Sequence, residues 1–104
     1  MVENDYPELS QFFVGTFNQD WTLDHETPDE AIDSALAVAP RTWLIPVREQ
    51  WNDLLGRIED DVDLRRVLQR CLRANVAMPK PKEARAFADL MNRKLETALR
   101  ESRQ

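Results

Sequence analysis

Apolar side chains recur at three- and four-residue intervals along most of the chain, and prolines or polar clusters close each run. That spacing puts one apolar stripe on an α-helix and leaves its other side wet. A β-rich reading has no support. The chain has only two glycines, Gly15 and Gly56, and no Asn-Gly or Asp-Gly hairpin turn. It also lacks an alternating run rich in Val, Ile and Thr. The expected fold class is all-α: a compact single-domain bundle of about five helices over residues 1–104. A chain of 104 residues fits one domain and buries roughly two-thirds of its unfolded surface.

The first predicted helix covers about residues 7–17, with Pro7 in its first turn and Asp5 as a nearby cap. Leu9, Phe12, Phe13, Thr16 and Phe17 form its stripe. Residues 18–26 read as a loop. In "TPDE", Thr27 is the cap of the second helix, Pro28 its first residue, and Glu30 completes a capping box. Ala31, Ile32, Ala35, Leu36 and Ala39 face inward, and Pro40 ends the helix. The third helix is clearest over residues 46–59, through Val47, Trp51, Leu54, Leu55 and Ile58. Pro46 predicts a bend or a start there, and an earlier start with Thr42 as cap stays open. The acids of "EDDVD" open the fourth helix, where they suit the positive end of the helix dipole. Leu64, Val67, Leu68, Cys71 and Leu72 form its stripe, and Arg65, Arg66, Arg70 and Arg73 its wet face. "MPKPK" is a turn. The fifth helix follows from about residue 81 to 100, and the tail "ESRQ" is expected to fray.

Charge divides the chain. Residues 1–40 hold nine of the nineteen acids and no Lys or Arg, so all fourteen bases lie in residues 41–104. An acidic front half repels nucleic acid and suits a basic partner. Equally, the two halves fit each other and partly neutralise. Little here points to catalysis. His25, the one histidine, lies between Asp24 and Glu26 with no second His or Cys to complete a metal set, so it reads as an exposed loop residue. Cys71 sits on an apolar stripe and reads as a small packing residue. No Gly-rich phosphate loop occurs, and no pair of carboxylates stands out as an acid-base couple. We expect no enzyme, no metal and no cofactor, and no small-molecule substrate. The arginines of the fourth helix follow acids just upstream, in a chain of net charge −5, which reads as salt-bridged surface and not as a nucleic-acid interface. A single cysteine, an acidic N-terminus and the absence of a long apolar run argue for the cytoplasm and against membrane association. Trp51 falls on a core stripe. Trp21 is expected to fold back under the first helix and pin the loop, with an interface anchor as the rival reading, and Trp43 reads as core or exposed anchor.

The run "YPELSQFFVGTFNQDW" followed by "TPDEAI" resembles the immunity proteins of bacterial contact-dependent growth inhibition, the CdiI type. The matching positions are Tyr6, Pro7, Glu8, Leu9, Phe12, Phe17, Gln19, Asp20, Trp21, Pro28 and Glu30, without gaps. They cover about the first 40 residues. Many members carry His where this chain has Asn18, so no titrating or metal role is carried over to that position. The resemblance implies a small all-helical cytoplasmic protein that binds one toxin domain, the C-terminal region of a large secreted adhesin, and blocks its active site. Such toxins are commonly nucleases, and an acidic protein can occupy a phosphate-binding surface as a mimic. The expected toxin-binding residues are Asp20, Asp24, Glu26, Asp29, Glu30 and Asp33. Asp20 and Glu30 also have structural roles open to them, a hydrogen bond to loop backbone and a capping box. The arginines of the fourth helix offer a different contact, to an acidic toxin face. A helical adaptor or regulatory subunit is the alternative function, and a nucleic-acid-binding regulator a further one.

Overall fold

The chain is seen in a computed structural model, which describes residues 6–72 and 74–101, apart from the Cys71 side chain. The described helices are α1 (Pro7–Thr16), α2 (Trp21–Asp24), α3 (Pro28–Val38), α4 (Arg41–Arg57), α5 (Asp61–Arg66) and α6 (Pro81–Glu101). A π-helical turn, Val67–Cys71, continues α5. No strand occurs among the described residues, and the all-α expectation holds.

α1 shows how side chains from elsewhere finish a short helix. Pro7 occupies its first turn, and the cap position belongs to Tyr6, which gives no side-chain cap bond. Asp5, the expected cap, lies outside the described residues. The Leu9 N–H, one of the donors a helix start leaves unpaired, donates to Gln50 Oε1 of α4 at 3.0 Å. Gln50 Nε2 donates in turn to Glu8, and the Tyr6 hydroxyl donates to Asp53 at 2.6 Å. α1 is thereby registered on α4 by polar contacts as well as by its buried Leu9, Phe12, Phe13 and Thr16.

α4 starts earlier than Pro46. It begins at Arg41 with Pro40, not Thr42, in the cap position, and Pro46 lies inside it. An interior proline removes one ladder hydrogen bond and costs about 3 kcal/mol. Contacts ahead of Pro46 offset that. Leu44 is buried, Trp43 packs on Phe12 with ring centroids 5.8 Å apart, and the Arg41 guanidinium donates to the Leu99 carbonyl of α6.

The segment before α6 departs from a simple turn. After the π-helical turn, the Leu72 N–H bonds to Val67 O and the Ala74 N–H to Leu68 O. The chain then runs non-helically, with Ala74, Val76 and Met78 buried and Asn75, Ala77 and Pro79 exposed, the period of two of extended backbone. The expected packing of Cys71 and the exposure of Arg73 lie outside the described residues. α6 then buries Ala84, Phe87, Ala88, Met91, Leu95 and Leu99 along one side, as its spacing predicts, against α3, α4 and α5.

The core centres on aromatic rings. Phe13 lies 5.6 Å from Trp51, 6.0 Å from both Phe12 and Phe17, and 6.1 Å from Phe87, centroid to centroid. Phe17 carries this cluster out to the end of α1, where the candidate site begins.

Candidate functional site

The turn from Phe17 to Thr27 is built from the inside outward. Phe17 is fully buried, and Trp21 folds back to meet it edge-on, with centroids 5.5 Å apart and an interplanar angle of 89°. The Trp21 indole N–H donates to the carbonyl of Asn75, in the extended segment before α6. Asn75 returns the brace: its side-chain amide donates to Phe17 O at 2.9 Å, which satisfies a carbonyl at the end of α1. Asn18 shapes the exit, accepting from the Asp20 N–H at 2.9 Å through Oδ1. The backbone role open to Asp20 thus belongs to Asn18, and Asp20 makes no side-chain cap bond. Residues 21–24, expected as loop, close into the single turn of α2.

α3 opens as its sequence dictates. The Thr27 hydroxyl accepts from the Glu30 N–H at 3.2 Å. The Glu30 carboxylate reaches one residue further back than a standard capping box, to the Glu26 N–H at 3.1 Å.

The six acids expected to contact a partner fall into two groups. Asp29 and Asp33, one helical turn apart on α3, both pair with Lys94 of α6, with Asp33 Oδ1 at 2.8 Å from its ammonium nitrogen. The hydrogen bond from Lys94 holds the Asp29 carboxyl below its ordinary value of 3.8. The hydrogen bonds to Asp29 and then Asp33 raise Lys94 above its ordinary 10.5. The pair sits on a groove of about 600 Å³ between α3 and α6, lined also by Leu36, Leu90 and Glu101. Glu30 is committed to its cap. Asp20, Asp24 and Glu26 form the other group: all are exposed, and their carboxylates have no hydrogen bond or ion pair among the described residues.

The profile of the CdiI immunity protein family matches residues 5–95, most of the chain and well past the N-terminal motif. The chain belongs to that family. Membership implies an immunity protein directed against a contact-dependent growth inhibition toxin, with the cognate toxin as its partner. No curated protein and no solved structure matches the chain.

Asn75 was not among the candidates from sequence. Its partners lie 54 and 58 residues away, so no local pattern announces it. Lys94 was missed for the same reason: its role exists only once α6 lies along α3. Of the arginines of the fourth predicted helix, Arg65 donates to the carbonyls of Met78 and Pro79, and Arg66 pairs with Asp63 at 3.0 Å. Arg70 is exposed. Among the described residues no cluster of His, Cys, Asp and Glu is arranged to hold a metal ion. No described helix is long and apolar enough to cross a membrane.

Proposed function

We propose that this immunity protein neutralises its toxin by laying the acidic turn of residues 20–26 over a basic active site, the surface a nuclease presents to phosphate. On this reading the toxin is the C-terminal domain of an adhesin, and the block takes place in the cytoplasm by binding alone, without catalysis. The observation that carries it is the state of Asp20, Asp24 and Glu26. Three exposed carboxylates without partners among the described residues sit on a stretch with no Lys or Arg, so their field acts outward. Asp29, Glu30 and Asp33 contribute at the margin, because each is already engaged within the fold. Charge of this kind speeds encounter and selects a basic partner.

The test uses the purified cognate toxin domain and co-expression in a growing cell. Wild-type protein is expected to restore growth and to co-purify with the toxin. Reversal of Asp20, Asp24 and Glu26 to Lys should slow association by about tenfold or more at low salt and flatten its salt dependence. Unchanged association kinetics would place the interface elsewhere. The three positions suit this test because none of the three carboxylates supports the fold. Reversing Asp29 or Asp33 would instead set lysines against Lys94.

A further inference from the structure

Among the described residues, the large apolar side chains left exposed are Val14, Leu23, Val38 and Val62. Single exposed apolar residues are ordinary, so company and mounting decide. Val38 rims an uncharged groove between α1 and α3, and nothing there indicates what would cover it. Leu23 is different in both respects. It lies within one helical turn of the exposed carboxylates Asp20 and Asp24, on a turn fixed from beneath by Trp21.

We infer that Leu23 is the apolar anchor of the toxin interface, seated in an apolar recess that the toxin rims with Lys or Arg. The inference rests on the acidic-turn reading above and deepens it. Residues two apart on a helix point about 200° apart around its axis. Trp21 is held inward by Phe17 and by the Asn75 carbonyl, so Leu23 is directed outward, and their exposures, 8% and 81%, agree. The side chain is thus presented on a preorganised support, and little backbone order remains to be lost on binding. Its setting has the layout of an interface centre: an apolar side chain with charged groups around it. The charges also fix the kind of partner, since a recess receiving Leu23 brings its own rim against Asp20 and Asp24. Carboxylates set the rate of encounter, and a buried apolar contact sets the residence time.

The experiment measures association and dissociation with the cognate toxin domain at low and physiological salt. It compares wild type, Leu23→Ala, Leu23→Gln and the triple reversal of Asp20, Asp24 and Glu26 to Lys. Both Leu23 variants should dissociate about tenfold faster or more, with association and its salt dependence unchanged. At 81% exposure neither substitution should disturb the fold, which circular dichroism verifies. Dissociation within about twofold of wild type in both variants overturns the anchor. If the triple reversal still slows association in that case, the acidic-turn reading stands without it. Loss of a self-associated state of the free protein, with toxin affinity unchanged, would make a second copy the occupant of this surface and would also overturn the proposal.

Discussion

Asn75 and Trp21 are joined by one hydrogen bond and serve the same end. Asn75→Ala removes the donor to Phe17 O and should lower stability by about 1 kcal/mol in urea unfolding. Trp21→Phe keeps a ring against Phe17 but loses the bond to the Asn75 carbonyl, and a loss of about 1–2 kcal/mol is expected. That Trp21 folds back under α1 is legible in the sequence, because an indole after a polar run has one economical place to go. That its N–H finds Asn75 is not legible, since the acceptor is a backbone carbonyl with no side-chain signature. The candidate acids divide in the same way. Exposure of Asp24 and Glu26 follows from their local sequence, whereas the engagement of Asp29 and Asp33 follows from Lys94 more than 60 residues on.

At the level of elements, caps and stripes are readable and interruptions are not. Thr27 caps α3 as "TPDE" predicts, and Thr27→Ala should cost about 1 kcal/mol. α4 runs through Pro46 because packing by Leu44 and Val47 on either side outweighs local preference. Pro46→Ala restores the missing N–H, so it should raise the melting temperature, by an amount equivalent to about 1–3 kcal/mol. The π-helical turn and the alternating segment after it give no sequence signal of their own. The link between α3 and α6 has a pH signature. The depressed Asp29 value stabilises the fold fully above pH 3.8, and that contribution is lost as pH falls through the folded value. The raised Lys94 value stabilises it fully below pH 10.5, and that contribution is lost as pH rises through the folded value. Lys94→Met should remove both dependences from thermal melts taken across that range. The effect should be small and should shrink further in salt, because both acids remain half exposed or more.

For the molecule as a whole, the charge asymmetry is partly neutralised inside the fold and partly left facing outward. Part of the acidic front half meets the basic remainder at Lys94, and Asp20, Asp24 and Glu26 stay unneutralised within the fold. The helical class and most stripes were legible because each stripe is buried in place, whereas their mutual arrangement depends on contacts such as Gln50 with Leu9. Phe13 joins rings from α1, α4 and α6, so Phe13→Ala should cost about 3–5 kcal/mol. For a small domain that is a large share of the total, and a single cooperative unfolding transition at much lower denaturant is expected. The turn at residues 20–26 lies at the opposite extreme. Its inward residue is fastened to two other parts of the chain, while the side chains of Leu23, Asp20 and Asp24 are exposed. On the proposed reading, a lineage facing an altered toxin is free to rewrite those outward letters one at a time, with every intermediate still folded, and to follow its adversary through sequence space.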